Sequence, residues 1–541
     1  MARAAAALLS LALSAPLSAQ TVQEITEEGL GYPPPLPVES LTPVDGFRTW
    51  ASLEARFLEL SLAAEHVARH EVGDSLFERD IFVYTVGNGA EPPPGEARPS
   101  AFILGGAHAR EWASPEVVAE LLEWFALEAP GDPLGAYLLD ALHLVIVPVS
   151  NPDGFVKTQN HPVQTVFGGS TGWGGRDGRM RRKNLRNATE TLDPPDNYRE
   201  GVDLNRNFPV GWRSVSQTLI TYGGTEAGSE PETQAVHAAE EFLEGTQLRL
   251  FLDFHSFGQF YYVVQTGDGM DTATGEAYEA MRDAAGGETG VVYTRSNWLV
   301  PSMSIGASDE YFATEYGAMA YTPEIRPSGG TNPFILPDAQ VDAARREMRA
   351  ATLAGLYYAA GPAWLQHIEF RDTTESAWED APAVHVETRE TGAQPGERLR
   401  NVTASEAMLP GRVYTGRLRF NKPMRGAEGG ALLPGFEAEE PALSLGAFAP
   451  AETAWRTSHY AGDTLEVRWE IPGGAMGPPE ITLSVYTADG VGRPLDGDPA
   501  AAARWDGADG WAEWTREADE WSTLAFEGVP LVAPSEVWVL W

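Results

Sequence analysis

The sequence predicts an α/β domain followed by an all-β domain, on three observations. Strand-like and helix-like patterns alternate over residues 45–360, which is typical of α/β folds. The run Leu142–Val149 is continuously apolar, as expected of an interior parallel strand. After Pro362 the helical patterns fade. Short alternating runs then follow, separated by turns rich in Gly, Pro and Asp, which is typical of a β-sandwich over residues 365–541.

The N-terminal residues carry targeting and linker patterns. Arg3, an apolar run over residues 4–13 and a small-residue cleavage site before Gln20 predict a signal peptide over residues 1–19. Residues 20–44 are polar and rich in proline, as in an arm or linker. The apolar run is too short to span a membrane stably, and no later segment is long and apolar enough to do so. We therefore expect an exported protein, secreted or periplasmic.

The composition narrows the function classes. The chain of 541 residues has a net charge of −39, which argues against nucleic acid as a partner. The negative field would attract cationic substrates, although adaptation for solubility is the simpler interpretation. There is no cysteine, so neither disulfides nor cysteine-ligated zinc sites can form, and export without disulfides indicates a bacterial origin.

In chain order, the α/β region begins with a helical pattern and alternates thereafter. The predicted helices are Thr49–His70, Pro115–Phe125, Glu230–Leu243, residues 276–285, a helix containing Asp309 and Glu310, and Asp338–Ala359. The predicted strands are Phe77–Val86, Ala101–Leu104, Leu142–Val149, Leu248–Phe254 and Ala318–Ile325. Asn151–Gly154 is predicted to be a turn, and residues 155–200 to be irregular. The strand-like runs after Pro362 are Ala383–Thr388, Arg412–Phe420, Thr464–Trp469 and Ile481–Tyr486.

Two side chains that suit a metal ion lie where a strand gives way to a helix. His108 and Glu111 follow the apolar run Ala101–Leu104 on a Gly-Gly turn, so both can face one ion. Imidazole and carboxylate ligands together suit zinc. A single His-x-x-Glu occurs often by chance, but His255 and Glu324 also lie at or near strand ends, where such sheets place their sites.

A cationic cluster is unusual in so acidic a chain. It comprises Arg176, Arg179, Arg181, Arg182, Lys183 and Arg186. One interpretation is a run of solvated charges. The other is a patch that binds an anionic ligand or stabilises a developing negative charge.

The motifs, taken together, resemble the zinc carboxypeptidase family, the group of carboxypeptidases A and B, over roughly residues 45–360. In chain order they are His108-Ala109-Arg110-Glu111, Asn151-Pro152-Asp153-Gly154, Arg179-Met180-Arg181-Arg182-Lys183, Asp203-Leu204-Asn205-Arg206-Asn207, His255-Ser256-Phe257 and Glu324-Ile325-Arg326. They occur in the family's order with comparable spacing. The resemblance implies a mixed central sheet flanked by helices, one Zn²⁺ ion, and peptide or protein C-termini as substrates.

The resemblance also implies catalytic roles. His108, Glu111 and His255 would bind the Zn²⁺ ion, and Glu324 would act as the general base. These residue types allow that chemistry, because two neutral imidazoles and one carboxylate leave an open position for water on zinc. The ion activates the water, and a nearby carboxylate can take the proton and pass it to the leaving amine.

Five further residues resemble the family's substrate-binding and supporting groups. Arg182 would stabilise the oxyanion, because a guanidinium group is always charged. Asn205 and Arg206 would hold the C-terminal carboxylate of the substrate. Arg110 would contact substrate upstream of the cut, and Asp203 would orient the first zinc histidine.

The sequence departs from the family at one position. The family has a mobile tyrosine that helps to bind the terminal carboxylate, and counting back places Pro301 or Ser302 there. Trp298 and Tyr293 lie nearby, but neither is assigned the role. We therefore expect carboxylate capture to be weaker or differently built. Ser256-Phe257 occupies the place where the family often has a non-proline cis peptide bond.

The sequence predicts an exported zinc metallocarboxypeptidase. Asp309 falls where B-type members of the family place the acid that pairs with a C-terminal Lys or Arg, although a shift by a single residue would put Ser308 there. Two alternatives stay open: a zinc amidase or cell-wall peptidase on the same fold, and a non-catalytic binding protein that retains the fold. The complete ligand set together with Glu324 favours the enzyme. The sequence does not indicate a partner for the β domain.

Overall fold

A computed structural model describes most of the α/β region and part of the C-terminal region. The described residues are 46–89, 97–160, 178–189, 199–264, 272–296, 306–330, 333–334, 336–363, 365–388, 409, 411–426, 430–436, 442–444, 452–471, 484–486, 491 and 524–525. The predicted signal peptide and arm, Arg176, Trp298, Pro301 and Ser302 lie outside the described residues. No helix among the described residues is long and apolar enough to cross a membrane.

The α/β region is built on a mixed sheet, which confirms the fold class expected for residues 45–360. Its nine strands are β1 Val67–Asp74, β2 Asp80–Val86, β3 Arg98–Leu104, β4 His143–Val147, β5 Thr246–Asp253, β6 His255–Ser256, β7 Phe260–Val263, β8 Thr294–Arg295 and β9 Met319–Ile325. The strand order is β1-β2-β4-β3-β5-β9-β7-β8, and β6 pairs with β9. The central strands β4, β3, β5 and β9 run parallel to their neighbours in that order, so their carboxyl ends meet at one edge.

Helices cover both faces of this sheet. They are α1 Trp50–Ala63, α2 Ala113–Leu127, α3 Pro133–Ala141, α4 Pro152–Asn160, α5 Pro231–Ala238, α6 Thr272–Thr289, α7 Ser308–Tyr316 and α8 Asp338–Ala359. One core contains buried side chains of α1, α2, α3, α6 and α8, and a second core contains those of α5 and α7. The two cores fix the sheet between them, so the loops at its carboxyl edge project from a rigid platform.

Two local predictions were wrong. The helix predicted over Thr49–His70 ends at Ala63, and the residues from Val67 onward form β1, because pairing with β2 outweighs the helical pattern. The turn predicted at Asn151–Gly154 is the start of α4. Pro152 occupies the first helical position, which suits proline, and the Asn151 side chain accepts a hydrogen bond from Gly154 N at 3.1 Å.

The C-terminal region is antiparallel β structure, as predicted. A five-stranded sheet has the order β11-β10-β12-β15-β14, and a second sheet has the order β13-β16-β17. These strands are β10 Leu365–Asp372, β11 Ala383–Thr388, β12 Val413–Phe420, β13 Ala442–Ser444, β14 Glu452–Arg456, β15 Thr464–Glu470, β16 Ser484–Tyr486 and β17 Leu524–Ala525. Packing of the two sheets into a sandwich stays a prediction. Leu433 of this region joins the core formed by α6 and α8, and the buried Lys422 donates hydrogen bonds to the carbonyls of Tyr357 and Gly361.

Candidate metal centre and active site

The loop after β3 turns tightly to present two side chains at the sheet's carboxyl edge. Gly106 adopts a φ of +68°, which favours glycine, and a Cβ on Gly105 would lie 2.7 Å from the Pro148 carbonyl oxygen. The Ser114 hydroxyl accepts a hydrogen bond from Gly106 N at 2.8 Å and so ties the turn to α2. His108 and Glu111 are consequently fixed in buried positions with 4% and 3% of their surface exposed.

Three donor atoms converge beyond this turn. Glu111 Oε1 lies 3.0 Å from His108 Nδ1, and Glu111 Oε2 lies 3.0 Å from His255 Nδ1. The two Nδ1 atoms are 2.8 Å apart. Two imidazole nitrogens that face each other and a carboxylate form the donor set that zinc prefers, so these residues fit a zinc ion.

Electrostatic effects within this triad are strong. Burial alone would raise the pKa of Glu111, but His108 and His255 hold it well below its ordinary range. Burial alone would lower the pKa of His255, but Asp253 and Glu111 raise it well above its ordinary range. Each residue of the triad therefore stabilises the charged form of a neighbour.

The far nitrogen of His108 is held by the predicted carboxylate. Asp203 Oδ1 lies 3.0 Å from His108 Nε2, and Asp203 Oδ2 accepts a hydrogen bond from Arg182 Nε at 2.9 Å. Burial would raise the pKa of Asp203, but Arg182 and His108 hold it well below its ordinary range. An ionised Asp203 favours a proton on His108 Nε2. The lone pair of His108 Nδ1 is then free to bind a metal ion together with Glu111 and His255.

The second histidine has a carboxylate partner that the sequence reasoning missed. Asp253 Oδ2 lies 3.0 Å from His255 Nε2. Asp253 and His255 are two residues apart in nearly extended chain and can therefore lie on one side of the sheet edge. The spacing of two residues between Asp253 and His255 in an extended chain was the sequence signal that could have identified Asp253. Asn205 Nδ2 also lies 3.1 Å from His255 Nε2.

Glu324 lies across from the donor triad. Its backbone pairs with that of His255 in the parallel β6–β9 ladder, and its side chain is partly exposed. Burial among charges raises the pKa of Glu324 to about 8, with Glu111 adding to the effect and His255 and Arg182 opposing it. The structure thus brings the predicted base to the predicted ligands.

Three members of the cationic cluster, Arg179, Arg181 and Lys183, are buried, so the interpretation as solvated charges is wrong for them, whereas the side chain of Arg186 is 38% exposed and pairs with Glu230. Arg179 packs over the Trp112 ring at 3.5 Å and donates to the Arg110 carbonyl oxygen at 2.6 Å. Arg181 and Lys183 are each 1% exposed and donate to backbone carbonyls. Arg182 differs, because its side chain is 15% exposed and its NH1 lies 3.8 Å from Glu111 Oε1.

The predicted substrate-binding residues lie around the same space. Arg206 is partly exposed and donates to the Asn205 carbonyl oxygen. Burial raises the pKa of Asp309, and the Arg206 charge opposes this shift. Arg110 is 5% exposed and lies over the Phe334 ring at 3.9 Å. Burial and the neighbouring Arg182 charge lower the pKa of Arg110 to about 10.

Asp309 lies in the first turn of α7 and contacts β9, and we name Asp309, Thr322 and Tyr262 the candidate pocket wall. Thr322 Oγ1 donates to Asp309 Oδ2 at 2.9 Å. Tyr262 pairs with Thr322 and Phe260 with Glu324 across the antiparallel ladder, so these four side chains share one face of the sheet. Tyr262 was not singled out from the sequence.

The structure removes one candidate for the tyrosine missing from the family pattern. Tyr293 is buried, donates to Glu347 Oε2 at 2.9 Å and accepts from Arg326 N at 3.2 Å. Its hydroxyl group is therefore committed within the protein. The Ser256-Phe257 peptide bond is cis, at the place where the family often has one.

Comparisons with known proteins support the resemblance. The family model described as zinc carboxypeptidase matches residues 60–351. Bovine carboxypeptidase B is 26% identical over 321 residues, which cover 54% of this chain and 66% of that protein. Mouse mast cell carboxypeptidase A is 30% identical over 210 residues, which cover 37% of this chain and 42% of that protein. The chain thus spans less than two thirds of the length of these relatives.

Among solved structures, carboxypeptidase A from Helicoverpa armigera is 24% identical, with a TM-score of 0.46. The match covers 60% of this chain and 77% of that chain.

Proposed function

Because the chain belongs to the zinc carboxypeptidase family, we propose that it is an exported zinc metallocarboxypeptidase that hydrolyses C-terminal residues from peptides. The convergence of His108, Glu111 and His255 beside the carboxylate Glu324 carries the proposal. The predicted signal peptide over residues 1–19 supports export.

In this proposal, His108 Nδ1, His255 Nδ1 and the Glu111 carboxylate hold Zn²⁺. Bound zinc supplies Lewis acidity that activates water and polarises a carbonyl group. Glu324 accepts the proton of the attacking water and delivers it to the leaving amine, which makes the amine a better leaving group. Asp203 keeps His108 in the tautomer that binds metal through Nδ1.

Arg182 stabilises the negative charge that develops on the carbonyl oxygen. Burial would lower the pKa of its guanidinium group, but Asp203 and Glu111 raise it, so the charge is permanent. Its bond to Asp203 fixes the side chain before substrate arrives, so little reorganisation is required during the reaction.

Arg206 and Asn205 bind the terminal carboxylate of the substrate and thereby restrict cleavage to chain ends. A guanidinium group can bind a carboxylate through two parallel hydrogen bonds, which gives both affinity and orientation. Arg110 contacts the substrate residues upstream of the cut.

The pocket wall of Asp309, Thr322 and Tyr262 receives the side chain of the C-terminal residue. A buried carboxylate on this wall supports a preference for Lys or Arg, because a cation would compensate the charge that burial disfavours at Asp309. The size of the substrate side chain also matters, because Tyr262 lies beside Thr322 in the ladder.

Mass spectrometry of a mixed peptide library, with wild-type protein and Glu324→Gln, tests the proposal. Wild type should produce ladders of C-terminal loss from free-acid peptides and leave the matched C-terminal amides intact. Glu324→Gln should retain the metal content of wild type and lose at least about 100-fold in kcat.

Three outcomes would contradict or redirect the proposal. Equal inertness of wild type and Glu324→Gln would favour a non-catalytic binding protein. Cleavage of cell-wall peptides with no action on ordinary C-termini would favour the zinc amidase or cell-wall peptidase. Activity that survives complete metal removal, checked by elemental analysis, would exclude a metallopeptidase.

A further inference from the structure

One oxygen of Asp253 serves two different parts of the site. Asp253 Oδ2 lies 3.0 Å from Nε2 of His255, and the same oxygen accepts a hydrogen bond from the Ser308 hydroxyl at 2.5 Å. His255 is a candidate metal ligand. Ser308 is the first residue of α7, directly before Asp309 of the pocket wall. A single carboxylate therefore connects the metal centre to the substrate pocket.

Asn205 closes this connection into a ring of contacts. Its Oδ1 accepts a hydrogen bond from Ser308 N at 2.8 Å, and its Nδ2 lies 3.1 Å from His255 Nε2. Asp253 and Ser308 are each 0% exposed, and His255 is 1% exposed. Water cannot substitute for any of these contacts without rearrangement, so the position of each group depends on the others.

The other oxygen of Asp253, Oδ1, lowers the stability of the folded protein. Asp253 Oδ1 is buried and has no hydrogen-bond partner among the described residues. An unpaired carboxylate oxygen in a buried position destabilises a fold, and a neutral residue would avoid this cost. The contacts that Asp253 makes through Oδ2 are with His255 and Ser308, so they lie within the candidate site.

We propose that Asp253 is a positioning residue that fixes the metal ligand His255 and the substrate wall starting at Ser308 in one arrangement. The proposal rests on the proposed carboxypeptidase function for the pocket, and on the donor geometry alone for the metal. It makes the two zinc histidines equivalent, because each then has a carboxylate on its far nitrogen: Asp203 for His108 and Asp253 for His255. It also predicts that a single substitution at Asp253 changes both zinc affinity and substrate binding.

The first arm of the test measures zinc affinity by competition with a chromophoric chelator, in the absence of substrate. Asp253→Ala should weaken zinc binding by about 10- to 100-fold, as loss of an outer partner of a metal ligand does, and Asp203→Ala serves as the reference on the other histidine. Ser308→Ala should stay within about twofold of wild type, because the His255–Asp253 contact is left intact.

The second arm measures KM for a free-acid peptide at saturating zinc. Ser308→Ala and Asp253→Ala should each raise KM by about fivefold, the effect of one lost hydrogen bond. Ser75→Ala is the matched control. Ser75 is also a buried serine that donates to a buried aspartate, Asp153, at 2.9 Å, but outside the site, and its KM should equal that of wild type.

Asp253→Asn separates positioning from a structural role. The amide oxygen of Asn can accept both hydrogen bonds that Oδ2 accepts, so KM should stay within about twofold of wild type. Zinc binding should weaken, because the negative charge next to His255 is lost.

Zinc affinity unchanged in Asp253→Ala, or KM unchanged in Ser308→Ala, would overturn the proposal. An Asp253→Asn variant with unchanged zinc affinity would also overturn it, because the charge of Asp253 would then give no support to His255. A wild-type protein that binds zinc but cleaves no peptide would refute the proposed function instead, and the zinc arm would still decide whether Asp253 supports His255.

Discussion

Glu232→Gln should stabilise the protein at neutral pH and change little in mild acid. Glu232 lies in α5 and is 0% exposed. Burial raises its pKa to about 7, and the neighbouring carboxylates Asp153 and Glu230 add to the effect. A hydrogen bond that Asn184 Nδ2 donates to Glu232 Oε2 at 3.2 Å opposes the shift.

The magnitude follows from proton linkage. In the unfolded chain the Glu232 carboxyl group titrates near 4.5, whereas in the folded protein it titrates at about 7. Between these values the folded protein keeps a proton that the unfolded chain has released, so the free energy of unfolding falls as pH rises. The full difference corresponds to about 3 kcal/mol, since each pKa unit is worth about 1.4 kcal/mol. Gln cannot lose a proton and lacks this decline.

Urea unfolding of both proteins between about pH 5 and 8 measures the effect, because the difference between them cancels all other titrating groups. The advantage of Glu232→Gln should grow by about 2–3 kcal/mol across this range. Glu241→Gln, which changes an exposed carboxylate after α5, should show no such trend. A difference between Glu232→Gln and wild type that does not vary with pH would refute the reasoning.

Three further substitutions separate the roles assigned above. Arg206→Met should raise KM for free-acid peptides by about 100-fold, from the loss of charge-assisted hydrogen bonds, and should leave the binding of amidated peptides unchanged in inhibition assays. Arg182→Met should lower kcat by about 100- to 1000-fold in steady-state kinetics, because oxyanion stabilisation is lost; an unchanged kcat would contradict its role. Glu347→Ala should destabilise the fold by about 3–5 kcal/mol in urea unfolding, because it strips Arg326 of its buried partner; a loss below about 1 kcal/mol would contradict the ion pair's importance.

The sequence was sufficient for features that are local or periodic. His108 and Glu111 could be placed because a Gly-Gly turn between a strand and a helix leaves them few directions. Strand β4 could be placed because Leu144–Val147 is continuously apolar. The boundary between α1 and β1 could not, since the apolar pattern runs on past Ala63 and only pairing with β2 ends the helix.

Contacts between distant segments were not predictable in the same way. Asp253 precedes His255 by two residues, but its second partner, Ser308, is 55 residues away and is brought there by the packing of α7. Tyr293 lies near the position of the missing tyrosine in sequence, yet the fold turns it inward to Glu347. Proximity along the chain therefore predicted which side chains converge, His108 and Glu111, but not the contacts that support them.

The cationic loop shows how a largely buried cluster can direct one arginine towards the donor triad. Three buried cations hold the loop in place by donating hydrogen bonds to backbone carbonyls: Arg179, Arg181 and Lys183. Arg182 alone among these turns to the donor triad, where Asp203 aligns it and at the same time aligns His108. Arg182 and His108 thus share the carboxylate of Asp203, as His255 and α7 share that of Asp253. Two buried aspartates, Asp203 and Asp253, therefore each contact one candidate metal ligand and one group proposed to act on substrate. Substitution of either aspartate should displace both of its partners together.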